Sequence, residues 1–244
     1  MEGKDGESCF GVDQLDNITL GKILPGSLGL FHGPAGCGKS SMLYHFLFQG
    51  AGMNNNVCFI TNEPPDRISS HMSSFRTFQS NWLKDGYISI FNIQDLMGLI
   101  GMDLENTGPQ DVDLFFDLLV QVVQHLDAKR LVIDPVNPLL EILEDWNKVF
   151  FLQRLKGKLV ELGVSTFMAM DTNLPLHEMD LRCMEPYNFN IIIGFKKEKE
   201  PPVILNTMTI ERWKGTSHAK NTYVIEVSKD GVFLVPRIKP LEVR

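Results

Sequence analysis

Short apolar runs alternate with segments of helical period through the first part of the chain, the pattern of a parallel sheet flanked by helices. The runs LGLF (Leu28–Phe31), VCFIT (Val57–Thr61), YISIFNI (Tyr87–Ile93), RLVID (Arg130–Asp134) and VSTFMAM (Val164–Met170) predict buried strands. SSMLYHFLFQG, after a Gly-rich turn, predicts a helix, and Pro64 and Pro65 open another through Ile68 to Phe78. Val112, Phe115, Phe116, Leu119, Val122, Val123 and Leu126 fall on one helical face, with Asp111 and Asp113 near its positive end. Val149, Leu152, Leu155, Leu159 and Leu162 mark a further helix that Gly163 ends. Beyond it the character changes: NIIIGF, PVILNTMTIERW, NTYVIEV and GVFLV read as strands with short connections, hence a largely antiparallel C-terminal part. KKEKEPP (Lys196–Pro202) reads as an exposed hairpin tip. The expected class is α/β, one domain over residues 1–244 with 1–8 as a polar tail.

Composition narrows the function classes. Apolar residues make up 43% and charged residues 22% of the 244, a globular balance. No apolar run approaches the roughly 18 residues of a spanning helix, and MEGKDGES is polar where a secretory signal is hydrophobic, so a cytoplasmic protein is expected. Lys+Arg 23 against Asp+Glu 30 gives a formal charge of −7, which argues against a general nucleic-acid or anionic-lipid footprint. From Asp85 to Asp127 there is no Lys or Arg, so this flank repels polyanions, and Glu178, Asp180 and Glu185 against Arg182 make the loop from Thr172 to Asn190 unsuited to phosphates. Cys9, Cys37, Cys58 and Cys183 lie far apart, suggesting neither a zinc site nor a disulfide framework.

The strongest chemical signal is GPAGCGKS, Gly33–Ser40, a G-x-x-x-x-G-K-[ST] phosphate loop between a predicted strand and a predicted helix. Gly33, Gly36 and Gly38 let the backbone curl so that successive N–H groups meet phosphate oxygens, with Pro34, Ala35, Cys37 and Ser41 completing the nucleotide-binding stretch. Lys39 bridges the β and γ phosphates of ATP and Ser40 offers a hydroxyl to Mg²⁺. Asp134, at a strand end, is the second metal carboxylate, its alternative being a turn Asp before Pro135. Glu63 is the candidate that activates water; alternatively it is a solvated first-turn Glu favoured by the helix dipole. Asp171 is a phosphate or metal sensor or else a turn residue in DTN. Cys37 is either a thiol activated by Lys39 or a small filler in a variable loop position.

With those residues in place, the chain resembles the KaiC-like branch of the RecA-superfamily ATPases over nearly its whole length. FGVDQLDNITLGKILPGSLGLFHGPAGCGKS resembles that family's opening, NEPPDRI its Glu-Glu-Ser-Pro-Glu-Arg-Leu block, and LVELGVSTFMAMD its Leu-Gly-Val-Thr strand. ERWKGTSHAKNTYVIEVSKDGVFLVP matches its Lys-x-Arg-Gly-Thr-x-His block and closing strands. The resemblance implies a RecA-like P-loop core, a homo-oligomeric ring, commonly a hexamer, and ATP between neighbours. It also implies that Arg212, Lys214 and His218 act in trans on the γ phosphate; without it they read as ordinary strand-end charges. The sequence departs from the family in having a single Glu63 for the paired glutamates and in exchanging the basic types at 212 and 214, where Lys cannot supply a bidentate fork. A clock function does not follow. The leading expectation is a slow, Mg²⁺-dependent ATPase used as a regulatory or assembly switch with a protein partner. The alternatives are a recombinase-like DNA accessory protein and a nucleotide-holding interaction module without turnover.

Overall fold

The uninterrupted apolar runs form strands covered on both faces, as a parallel sheet between helix layers requires. The computed structural model describes residues 9–20, 23–102, 109–141, 145–173, 188–216 and 221–237. Along it run α1 (Asp13–Ile18), β1 (Leu28–Gly33), α2 (Lys39–Ala51), β2 (Val57–Thr61), α3 (Pro65–Met72), α4 (Asn81–Lys84), β3 (Ile88–Asn92), α5 (Ile93–Leu99) and α6 (Pro109–His125). There follow β4 (Arg130–Asp134), α7 (Asn137–Glu141), α8 (Asp145–Glu161), β5 (Ser165–Asp171), β6 (Ile191–Glu200), β7 (Val203–Trp213), β8 (Thr222–Ser228) and β9 (Gly231–Pro236).

The strands make one sheet in the order β3-β2-β4-β5-β1-β6-β7-β8-β9. It is parallel from β3 to β6, and antiparallel from β6 outward. On one face Phe31, Phe59, Val132 and Phe167 pack against Met42, Phe46 and Leu47 of α2, and that core continues under β7–β9 through Met208, Ile225 and Leu234. Phe46 and Phe167 meet edge to face at 4.8 Å, a geometry that adds about 0.5–1.5 kcal/mol to area burial. On the other face Leu30, Ile60, Ile133 and Met168 pack against α5–α8 through Met97, Phe116, Leu140 and Leu155. From the C-terminal strands only Ile192 joins this second core among the described residues. The outer face of β9 leaves Phe233 and Val235 exposed.

The predicted strands and long helices are all present, with shifted ends. The helix opened by Pro64 and Pro65 stops at Met72 instead of Phe78, because Ser73 and Ser74 donate their hydroxyls to the carbonyls of Ser69 and His71, both at 2.7 Å, in competition with the helical ladder. The next segment is then tied elsewhere: the Arg76 N–H donates to the Lys229 carbonyl in the β8–β9 turn. The stretch Lys196–Glu200 belongs to β6, paired with Val203–Thr207, and the tip narrows to Pro201 and Pro202. The short α1, α5 and α7 carry too few turns for a periodic signal; α5 starts where the Asn92 side chain accepts from the Gln94 N–H at 2.8 Å. Phe115, Phe116, Leu119 and Val123 bury the expected face of α6, while the Val112 side chain lies outside the described residues.

Candidate functional site

The carboxyl ends of β1, β2, β4 and β5 converge on one crevice, the usual ligand position in an open α/β sheet. Register brings its residues together: Gly33 of β1 lies beside Asp171 of β5, and Thr61 of β2 beside Asp134 of β4. Gly33, at φ +146°, admits no side chain, because a Cβ there would stand 2.4 Å from the Phe195 carbonyl oxygen. Gly38, left-handed at φ +99°, turns the loop into α2 and gives the helix no side-chain cap, so the first N–H groups of α2 suit an anion.

The Lys39 side chain is buried beneath this loop. Its Nζ donates to the carbonyls of Gly33 and Pro34, each at 2.8 Å, and meets Asp171 Oδ1 at 2.7 Å. The Ser40 hydroxyl donates to the carboxylate of Asp134. Burial at the end of a fully buried strand pushes Asp134 up to about 6, opposed by the Ser40 bond and Lys39 and reinforced by Asp171 and Glu63. A carboxylate desolvated to this degree suits a cation, and Ser40 and Asp134 supply the hard oxygen donors that Mg²⁺ takes alongside phosphates. Among the described residues no cluster of three or more His, Cys, Asp or Glu could hold a metal by itself.

Glu63 precedes α3, its backbone fixed by an N–H donated to Thr61 Oγ1 at 3.2 Å and a carbonyl accepting from Asn92 Nδ2 at 3.2 Å. It lines the crevice, and Arg67, one turn along α3, brings Nε to 3.1 Å from its Oε2. Glu63 lies two residues ahead of the first helical residue, Pro65, so it is a crevice residue and not a first-turn one. Ala35, Gly36 and Ser41 line the same cleft of about 620 Å³. Cys37 is fully buried, and burial pushes its thiol up despite Lys39 nearby, in keeping with a loop filler and not an activated thiolate.

The cleft also holds residues that sequence reasoning did not single out. Tyr44 is buried against Phe59, ring centroids 5.7 Å apart, and burial together with the charges of Asp134 and Glu63 raises its phenol further above the usual range. Its signal was available, for it lies one helical turn after Ser40. Asn206 of β7 and Val227 of β8 reach the cleft from remote segments, and no local pattern marks them. Asn137 of α7 braces Asp171, accepting from its N–H at 2.9 Å and donating to its carbonyl at 3.0 Å.

The basic block lies elsewhere. Arg212 of β7 stands opposite Ile192, itself beside Leu30, and the Lys214 N–H donates to the Asn190 carbonyl next to the start of β1. The loop begins at the other end of β1, so from Leu30 to Gly33 alone the strand adds about 10 Å of separation. Lys156 of α8 joins the two: burial, then the charges of Lys214 and Arg212, push its ammonium down. His218 and the loop bearing Glu178, Asp180, Arg182, Cys183 and Glu185 lie outside the described residues.

The sequence profile described as ATPase: KaiC matches residues 9–239. The chain belongs to the KaiC ATPase family. It is 25% identical over 240 residues to circadian clock protein KaiC2 of Synechocystis, covering 93% of this chain but 39% of that one. A UPF0273 protein of the archaeon Aeropyrum pernix is 22% identical and covered over 92% of its length. The chain thus spans less than half of the clock relative but almost all of the archaeal one. In fold it is similar to the crystal structure of a KaiC-like protein from Pyrococcus horikoshii, with a TM-score of 0.76 and 23% identity over 93% of this chain and 98% of the other. KaiC-family membership carries nucleotide binding, and the phosphate loop of this chain is built for it. Among the described residues no helix is long and apolar enough to cross a membrane.

Proposed function

We propose that this chain is a Mg²⁺-dependent ATPase of low turnover, completed at interfaces between its own copies and serving as a nucleotide-driven assembly switch. One observation carries the reading: Arg212, Lys214 and Lys156 gather at the end of the sheet remote from the phosphate loop of the same chain. Such a patch serves a bound triphosphate best when a neighbour supplies it, which couples hydrolysis to assembly.

Lys39 and the N–H groups of the loop hold the β and γ phosphates, while Ser40 and Asp134 hold the cation. Mg²⁺, when bound, neutralises charge across the phosphate oxygens. Glu63, oriented by Arg67 and Asn92, takes the proton from the water that attacks the γ phosphorus, and ADP departs as the bond to its β-phosphate oxygen breaks. The neighbour's Arg212 and Lys214 offset the charge of the transferring group. Turnover is low because Asn62 precedes Glu63, leaving one carboxylate there, and Lys214 offers a point charge instead of a fork.

Two inactive variants test this together. Lys39→Ala cannot hold ATP; the double change Arg212→Ala, Lys214→Ala holds it but offers no donors. Phosphate release is expected from their mixture and from neither alone, alongside a rise in particle mass with Mg-ATP. A mixture that stays inactive while its subunits exchange, or a monomer that hydrolyses ATP, overturns the interface reading.

A further inference from the structure

We propose that Glu211 is a positioning residue for the basic block: anchored on His32, it fixes the bulge in β7 that directs Arg212 and Lys214 at a neighbouring copy's nucleotide. This rests on the interface reading above and extends it to the residues that hold the block in place.

The register between β6 and β7 shifts at one place. Ile192 pairs with Arg212, yet the next residue, Ile193, pairs with Ile210, so Glu211 is the extra residue of a β-bulge. Bulges turn the following side chains and are built features of a strand, not defects. Here the extra side chain has a specific destination. A Glu211 carboxylate oxygen accepts from His32 Nε2 at 3.0 Å, and His32, in β1 and next to Gly33, is almost wholly buried.

The two strands are not neighbours, since β6 runs between them. The contact crosses β6 at Gly194, which pairs with His32. A Cβ at Gly194 would stand 2.4 Å from Glu211 Oε1 and 3.1 Å from His32 Nε2, so this bond exists because residue 194 has no side chain. Three residues on three strands are thereby matched to a single hydrogen bond. Stability alone does not call for it, since the Glu211 side chain is 34% exposed and a polar contact that reaches solvent contributes little; the use such a contact is best suited to is fixing a register. A slip of one residue in β7 would move Arg212 to the opposite face of the sheet.

The mixing experiment locates the effect. In it the Lys39→Ala chain lends its basic block and the Arg212→Ala, Lys214→Ala chain holds the ATP. Glu211→Ala added to the lending chain should lower phosphate release at least about tenfold, because a 1 Å misplacement can cost 10²-fold. The same change added to the ATP-holding chain should leave release near that of the parent mixture. Glu211→Gln, which still accepts from His32, should retain most of the rate in either chain. If Glu211→Ala keeps the lending chain from folding or assembling, Gly194→Ala, which wedges the pair apart with both side chains present, replaces it with the same expectation. Equal loss from either chain, or no loss from the lending chain, overturns the positioning role while leaving the interface reading intact. No release from the parent mixture brings down both.

Discussion

In β1, β2 and β4 every residue is buried, whereas β8 alternates and then opens, with Glu226, Val227 and Ser228 exposed. The parallel half of the sheet is gripped between two helix layers, and among the described residues β7–β9 pack into the first core alone. The chemistry divides in the same way. Lys39, Ser40, Asp134 and Glu63 sit on the doubly covered half, where packing holds them to the tolerance that a phosphate site needs. Arg212 and Lys214 belong to the antiparallel half, at the end of the sheet remote from the loop, a position suited to serving another molecule.

The sharpest way to break this division is to remove the cations. Arg212→Ala with Lys214→Ala should slow hydrolysis by about 10³-fold or more, the scale of an arginine finger, with ATP affinity kept. Loss of ATP affinity, measured by titration calorimetry, would mean that the antiparallel half helps to hold its own nucleotide. Next in size, Glu63→Gln should slow single-turnover phosphate release by about 10²–10⁴-fold with binding intact; an unchanged rate would move the proton acceptor elsewhere. In stability, Phe167→Ala should cost about 3–5 kcal/mol in urea denaturation. Phe233→Ala, on the open face, should stay within about 0.5 kcal/mol, and a larger loss would show that this face is covered in solution.

The smallest effect is one of pH. His45 is buried against Phe48 and Phe75, its Nε2 has no hydrogen-bond partner among the described residues, and burial lowers its pKa below 6.5. The unfolded chain therefore takes up this proton first. The stability His45 contributes is fully present above pH 6.5 and is lost as pH falls through the folded value. His45→Leu should flatten that part of the stability curve, as read from midpoints of thermal unfolding.

The same division governs how much of the molecule is legible in its sequence. VCFIT and RLVID became β2 and β4 without change, because strands buried on both faces must be apolar throughout. Gly33–Ser40, Asp134 and Asp171 were legible because contiguous residues or strand ends deliver them to one crevice. The end of α3 was obscured by Ser73 and Ser74, whose side chains compete with the helix, and the length of β6 by its run of charged residues, which the backbone ladder with β7 carries regardless. Asn206 and Val227 reach the cleft, and Lys156 the basic patch, by tertiary placement alone, which a reading along the chain does not register.

The contact of Asp171 Oδ1 with Lys39 Nζ at 2.7 Å makes the protein its own competitor. A phosphate that is to reach the ammonium must displace a carboxylate on the same chain, held ready by Asn137 at an effective concentration that a short tether sets in the millimolar range or above. The site thereby carries an internal reference against which the surrounding ATP is read, and the concentration at which it half fills is a set point raised by Asp171. Chains in which that carboxylate is neutralised would fill at lower ATP, so a single side chain would tune the level of nucleotide to which the proposed assembly switch responds.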